Sequence, residues 1–451
     1  MDKNISPREA ALKILYEITH NNAYGNIALK KYLANSDYKV VDRGLITELV
    51  YGIIKYKMTI DYIVEQFSSI KMTKISPWIL NVLRVGIYQI IYLDKIPDSA
   101  ACNESVRLAK RYGHHASVNY VNAVLRNVSR NKEKIKYPDR NREPEKYLEV
   151  IYSYPDWLIH RWVKSFGFEF TEDLCKAGNE IPELSIRINT LKTNTEDLME
   201  LLSNEKVVAL KGKYNECALV LEQVGRIDKL KAFQDGLFQV QDESSMLVSR
   251  ILDPKPKEFI IDVCCAPGGK TTHIAQLMNN EGKVLGWDLH PHKIELVKSA
   301  AKRLDLDSIK AECHDATIEV NDLLHKADRV LVDAPCSGLG IIRRKPDIKW
   351  NKASADFEDI VHLQKNILQV CSQYVKNGGY LVYSTCTIQE EENIQVIDDF
   401  LDNNKEFQRE SIEEYLPIGL KKETASNGYI QLYPNVDGID GFFICKLRRQ
   451  G

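Results

Sequence analysis

The sequence predicts a multidomain protein with an all-α bundle in front, a small α+β module in the middle, and a doubly wound α/β domain with a mostly parallel sheet at the rear. Three observations carry this prediction. Residues 5 to 130 place apolar side chains at spacings of three and four; after about residue 150 the pattern alternates between helix and strand; from about residue 257 short apolar runs recur at regular intervals between helical segments.

In the front part, "PREAALKILYEI", "DRGLITELVYGIIKYKMTIDYIVEQF", "PWILNVLRVGIYQIIYL" and "SAACNESVRLAKRYG" read as helices with short interruptions. In "SVNYVNAVLRNVSRNKEKIK" the stripe Val118, Val121, Val124, Leu125 and Val128 should pack inward, leaving Arg126, Arg130, Lys132, Lys134 and Lys136 to project together. Formal net charge is only −2, yet residues 1 to 140 hold 22 Lys and Arg against 13 Asp and Glu, and the remainder 39 against 50. A basic front and an acidic rear suggest that the front meets a polyanion. With its basic helix, that polyanion is expected to be RNA.

"YPDRNREPEKY" reads as a linker, which divides the chain into residues 1–140, 141–250 and 251–451. In the middle part "PDWLIHRWVKSFG" is helical, "LSIRINTL", "ALVLEQV" and "LFQVQDES" are extended, and "TEDLMELLSNE" and "RIDKLKAFQDG" are helical. A small sheet beside a basic bundle would widen an RNA-binding surface.

Other classes are set aside by composition. Hydrophobic residues at 44% and charged residues at 27% are ordinary for a globular chain, and no apolar run approaches the roughly 20 residues that span a bilayer. The opening "MDKNISPREAALKILYEI" does not read as a secretory signal, so a cytoplasmic protein with no membrane partner is expected, and a monomer is expected as well. The 10 cysteines include no CxxC pair, and no metal is expected.

In the rear part "FIIDVCC", "KVLGWDL", "IKAECHD", "RVLVDAP", "GYLVYST" and "GFFICKLRR" are the strands, and ligands of such sheets sit beyond their carboxyl ends. The first strand runs into "DVCCAPGGKTTH". Gly269, Lys270 and Thr271 imitate the end of a triphosphate loop, but Cys264 stands where that loop needs its first glycine, and Pro267 removes an N–H. What remains is a tight turn, Cys264, Cys265, Ala266, Pro267, Gly268, Gly269 and Lys270, opening a helix whose N-terminus suits a carboxylate. Asp288 ends the second strand, placed to accept from two ribose hydroxyls; Asp315 ends the third and Asp333 the fourth. Cys336 follows Asp333, and Cys386 follows the fifth strand.

A ribose-holding acid, a carboxylate-holding helix end and no triphosphate loop suit S-adenosylmethionine as methyl donor. Two thiols at the same rim suggest the acceptor. Carbon 5 of a pyrimidine becomes nucleophilic once a thiolate adds to carbon 6, and a base must then remove the carbon 5 proton so that the thiolate can leave. A thiol with pKa about 8.5 is mostly protonated at neutral pH, so the site must favour the thiolate. Asp333 could bond the exocyclic amine and, when protonated, ring nitrogen 3 of cytosine.

The segments "DVCCAPGGKTTHIA", "LVDAPCSGLGIIRRKPDIKW", "YSTCTIQEEEN" and "VQDESSMLV" closely resemble the motifs of bacterial RNA 5-methylcytosine methyltransferases of the Nop2/Sun group, and the front, with "YVNAVLRN", resembles the domain of the antitermination factor NusB. The resemblance covers essentially the whole chain. It implies a NusB-like bundle and a Rossmann-like class I methyltransferase domain with a mostly parallel seven-stranded sheet. It also implies S-adenosylmethionine contacts from Cys264 to Lys270 and at Asp288, Asp315 and Asp333, with 16S ribosomal RNA, naked or in a partly assembled subunit, as substrate. It makes Cys386 the nucleophile and Cys336 the group that assists release, an order that spacing alone leaves open. Cys265 stands where alanine is expected, and Arg343, Arg344 and Pro346 to Trp350 are expected against RNA or, for Trp350, in a structural role. Two alternatives stay open: a non-catalytic RNA-binding assembly or antitermination-like factor, and a transfer RNA 5-methylcytosine methyltransferase.

Overall fold

The computed structural model describes residues 5–21, 23–34, 38–222, 224–351, 356–420 and 422–451. Its contacts define two units: one runs to Glu180 and takes in the segment that begins at Ile342, and the other starts at Ile181 and resumes after that segment.

The first unit is helical: α1 (Pro7–His20), α2 (Gly25–Ala34), α3 (Val40–Lys55), α4 (Lys57–Phe67), α5 (Pro77–Tyr92), α6 (Asp98–Tyr112), α7 (His115–Arg130), α8 (Pro144–Tyr152), α9 (Asp156–Phe166) and α10 (Phe168–Gly178). Ser6 and Ser76 begin α1 and α5 as side-chain caps on Glu9 N and Ile79 N, each followed by a proline whose missing N–H costs nothing there. The pattern read as one helix from 42 to 67 divides at Tyr56 into α3 and α4. In α7 the side chains of Val121, Val124, Leu125 and Val128 are buried as the periodicity predicts. That helix ends at Arg130, nearly two turns before the sequence pattern does at Lys136. Lys132 is drawn to Asp98 at 2.8 Å, while Arg126, Arg130, Lys134 and Lys136 stay exposed.

The segment from Ile342 packs within this helical unit. Asp347 accepts from the N–H of Gly25 at the start of α2 (3.1 Å). On α16 (Ile348–Asn351), Lys349 donates to the carbonyls of Lys55 and Ser153 at 2.9 and 2.7 Å, and the indole N–H of Trp350 donates to Ile54 (2.8 Å). Trp350 thus takes the structural role, and Asp347 and Lys349 share it.

The second unit opens with a small antiparallel sheet, β1 (Leu184–Ile188), β2 (Val208–Lys211), β3 (Ala218–Glu222) and β4 (Phe238–Val240) in the order β2-β3-β1-β4, with helices α11 (Thr195–Asn204) and α12 (Lys231–Gln234). Strand β2 escaped the sequence pattern because it is short and largely exposed, so it shows no apolar alternation.

Helix α13 (Glu243–Leu252) leads into the large sheet. Its first half is β5 (Phe259–Val263), α14 (Gly269–Leu277), β6 (Lys283–Asp288), α15 (Pro291–Leu304), β7 (Ile309–Cys313) and β8 (Ala327–Asp333). Its second half is α17 (Asp356–Ser372), β9 (Val375–Thr385), α18 (Ile394–Asn403), β10 (Phe407–Arg409), β11 (Tyr429–Leu432) and β12 (Phe442–Arg449). The path β10-β12-β9-β8-β5-β6-β7 holds seven strands, and β11 adds an eighth beside β12. Pairing is parallel from β9 to β7 and antiparallel at β12. Burial on both faces explains the continuous apolar runs of β5 and β8. Strand order reverses between β5 and β8, which puts the ligand crevice at the carboxyl ends of those two strands. Among the described residues, no helix is long and apolar enough to cross a membrane.

Candidate active site

Strand register lines up the predicted residues. Val263 pairs with Trp287 and Val332, and Val332 with Tyr383, so the next position on each strand forms one row: Cys264, Asp288, Asp333 and Ser384. The turn after β5 is then tied down from within. Cys265 N–H donates to the Trp287 carbonyl (2.7 Å), and Gly268 N–H to the Cys265 carbonyl (2.9 Å). Gly268, at φ 101°, adopts a conformation that a side chain would strain, and a Cβ there would come within 3.2 Å of Val297 Cα. Ala266 and Pro267 lie between, joined by a cis peptide. The Cys265 side chain packs with Ile294, Val297 and Ala311, so this residue shapes the turn with both its backbone and its side chain.

The helix that follows is held from the small sheet. Arg187 of β1, only 1% exposed, donates to the Gly269 carbonyl (2.8 Å), Thr272 Oγ1 (3.0 Å), Gln276 Oε1 (3.1 Å) and Gln241 Oε1. Burial lowers this guanidinium to about 9, and all four acceptors are neutral. The RNA-binding purpose expected of the small sheet is thus joined by a structural one that sequence reasoning missed. Its only trace was an arginine in the apolar alternation of "LSIRINTL".

Around the turn the acids differ. Asp262 is fully buried, and desolvation, with the Asp333 charge adding to it, pushes its carboxyl up to about 7 against the bond from Thr271 Oγ1 (2.7 Å). Its Oδ1 has no hydrogen-bond partner among the described residues. Asp288 accepts from His290 N–H (3.0 Å) through Oδ1. Asp315 accepts from Thr317 N–H and hydroxyl (3.0 and 2.7 Å), which holds its carboxyl below the ordinary value. Asp333 bridges Lys270 Nζ (2.7 Å) and Ser384 Oγ (2.8 Å). Burial would lower Lys270, but the charge and hydrogen bond of Asp333, with Cys386 contributing, raise it. Lys270 is therefore a cation fixed between the turn and the thiols.

Cys336, after β8, and Cys386, after β9, place their Sγ atoms 3.3 Å apart. The hydrogen bond with Cys386 first, and burial second, push the Cys336 thiol well up. The Cys386 carbonyl accepts from Gly340 N–H (3.0 Å), and a Cβ on Gly340 would lie 2.1 Å from the Gly441 carbonyl oxygen, so only glycine lets these backbones meet. The residues singled out in the sequence at β5, β8 and β9 come together; Asp288 continues the row toward β7, where it pairs with Cys313, and Asp315 lies in the loop just after that strand.

These residues fit S-adenosylmethionine by their own chemistry: a helix N-terminus opened by glycine for a carboxylate, an oriented acid at the end of β6 for a ribose, and a partnerless buried acceptor in Asp262. A doubly wound sheet with this crevice and a thiol pair at its rim defines an S-adenosylmethionine-dependent RNA methyltransferase.

Residues 249–448 match the family model described as 16S rRNA methyltransferase RsmB/F, residues 5–130 the NusB family, and residues 154–228 the RsmF/B-like ferredoxin-like domain. The chain belongs to the ribosomal RNA small subunit methyltransferase B family. It is 41% identical over its full length, and the full length of the relative, to the probable ribosomal RNA small subunit methyltransferase B of Bacillus subtilis. It is 32% identical to ribosomal RNA small subunit methyltransferase B of Pasteurella multocida, over 91% of this chain and 89% of that one. Among solved structures, that of PH0851 superposes with a TM-score of 0.81 at 27% identity, covering 99% of both chains.

Proposed function

We propose that this enzyme methylates carbon 5 of one cytosine in 16S ribosomal RNA through a covalent bond between Cys386 and carbon 6. The observation that carries this reading is the thiol pair, 3.3 Å apart at the ends of adjacent strands. Carbons 5 and 6 are bonded neighbours, so two sulfurs acting on them must themselves be neighbours. When bound, S-adenosylmethionine supplies the methyl group.

The protein's residues do the rest. Cys386 adds as a thiolate to carbon 6, favoured by the Lys270 cation. The electron pair of the 5,6 double bond moves to carbon 5, which takes the methyl group. The carbon 5 proton then leaves to a base, the carbon 6–sulfur bond breaks, and the double bond re-forms. Cys336, whose sulfur lies 3.3 Å from that of Cys386, assists this release. Asp333, fixed by Lys270 and Ser384, is placed to bond the cytosine edge while the neighbouring acids hold the cofactor.

The target base must leave its stack to reach the crevice. The front region, 1–140, with exposed Arg126, Arg130, Lys134 and Lys136, and the module within 141–250 grip the RNA backbone, leaving catalysis to 251–451. We infer a cytoplasmic monomer acting on the RNA, naked or in a partly assembled subunit, with no metal. The test is a denaturing gel for a protein–RNA adduct, with 16S RNA, S-adenosylmethionine and the two cysteine variants. Absence of any adduct or methyl transfer with the unmutated protein would overturn the reading.

A further inference from the structure

We propose that Glu392 is a positioning residue that sets the separation of the two thiols, by holding the loop after β8 and the loop after β9 on one carboxylate. The inference rests on the reading of Cys336 and Cys386 as a reacting pair, and adds the group that places them.

Glu392 is fully buried, at 0% exposure, and no cation pairs with it among the described residues. Four donors converge on it instead. Oε2 accepts from Ser337 N–H (2.7 Å) and Gln364 Nε2 (3.1 Å); Oε1 accepts from Thr387 Oγ1 (3.1 Å) and Ser337 Oγ. Ser337 is the residue next to Cys336, and Thr387 the residue next to Cys386. The other side of each cysteine is held as well. Gln364 also donates to the Pro335 carbonyl (3.0 Å), and the neighbouring Asn393 accepts from Thr385 Oγ1 and donates to the Thr387 carbonyl (3.1 Å).

The chemistry explains the residue type. An ionised carboxylate is an acceptor only, with about four lone-pair sites on two oxygens, which matches the four donors. Glutamine of the same shape has one acceptor oxygen and would set its amide N–H groups against two of those donors. A buried carboxylate without a counter-ion is kept only where several hydrogen bonds hold it. Here the bonds from Ser337 and Thr387 fix residues next to a cysteine, and the bond from Gln364 fixes a side chain that also holds the Pro335 carbonyl. The Glu392 charge adds to what raises the Cys336 thiol, while its hold on the geometry passes through these loops, which Ser337→Ala perturbs with the charge kept.

The experiment measures thiol geometry directly. Diamide takes two electrons and two protons from a pair of thiols to leave a disulfide, at a rate that depends on how closely they approach. The Cys336–Cys386 cross-linking rate is followed by peptide mass mapping in the unmutated protein, Glu392→Gln and Ser337→Ala, alongside adduct formation, adduct release and S-adenosylmethionine affinity. The last variant keeps the carboxylate and removes one hydroxyl, so it reports even where Glu392→Gln folds poorly. The expected result is cross-linking slowed in both variants, release slowed by roughly ten- to a hundredfold in Glu392→Gln, and unchanged cofactor affinity. Folded variants that cross-link at the unmutated rate would overturn the proposal whatever their activity. Slowed cross-linking in a protein that never forms an RNA adduct would uphold the positioning role and overturn the covalent reading.

Discussion

The Sγ atoms of Cys336 and Cys386 lie 3.3 Å apart, brought together from sequence positions fifty residues distant by the parallel pairing of β8 and β9. The hydrogen bond with Cys386, and burial after it, raise the Cys336 thiol. On the proposed roles, replacing Cys336 with alanine removes the releasing group and leaves the nucleophile. Cys336→Ala is therefore expected to accumulate a methylated RNA adduct on a denaturing gel, and Cys386→Ala to form none. The reverse pattern would exchange the two roles.

Lys270 couples the cofactor turn to the thiols. It pairs with Asp333 at 2.7 Å, and a thiolate at Cys386 stabilises its charge. Reciprocally, Lys270→Met removes a cation that favours the thiolate. The pH profile of Cys386 alkylation by iodoacetamide is expected to move to higher pH in this variant, with methyl transfer falling by about a hundredfold. An unmoved alkylation profile would show that the lysine serves the cofactor alone.

Arg187 fixes Gly269 and Thr272 from outside the large sheet. Arg187→Met leaves the Gly269 carbonyl, Gln241 and Gln276 without that donor. Hydrogen bonds to charged groups contribute about 1.5–3 kcal/mol, so S-adenosylmethionine affinity, measured by calorimetry, is expected to fall by roughly tenfold or more. RNA affinity should be unchanged if the arginine acts through the turn.

Asp262 supplies a pH signature. Its carboxyl is raised to about 7, chiefly by burial, from an unfolded value of about 4. Between these values the folded chain binds a proton that the unfolded chain has released, so stability falls as pH rises from about 4 to about 7 and is level above. Asp262→Asn removes this dependence. Scanning calorimetry of the cofactor-free proteins should show the variant gaining on the unmutated protein between pH 4 and pH 8, by at most about 4 kcal/mol at about 1.4 per pKa unit. Parallel curves would mean that the acid is ionised throughout.

Exposed Arg126, Arg130, Lys134 and Lys136 belong to the front of the chain. Each that contacts phosphate should, when changed to glutamine, weaken RNA binding and reduce the slope of log affinity against log salt by about one. Lys132, paired with Asp98, is the internal control, with a smaller effect on that slope.

Local pattern made much of this protein legible in advance. The stripe of α7, the helical periodicity of α1 and α5, and the apolar runs of β5 and β8 are short-range consequences of side-chain spacing and backbone chemistry. The turn from Cys264 to Lys270 and the acids at the strand ends were legible for the same reason, since a parallel sheet delivers strand ends to one crevice. Short or exposed elements carry no such signal: β2 and the early end of α7 had none to give.

By itself, the sequence determined the order of domains, the sheet type and the residues that reach its carboxyl edge, because these follow from periodicities of a few residues. Only the tertiary structure decided that Arg187 steadies the cofactor helix, that Asp347, Lys349 and Trp350 hold the helical unit, and that Glu392 joins the two cysteine loops. Each depends on hydrogen bonds between residues distant in the chain. Such bonds have no period, and only the folded backbone makes the donors and acceptors meet.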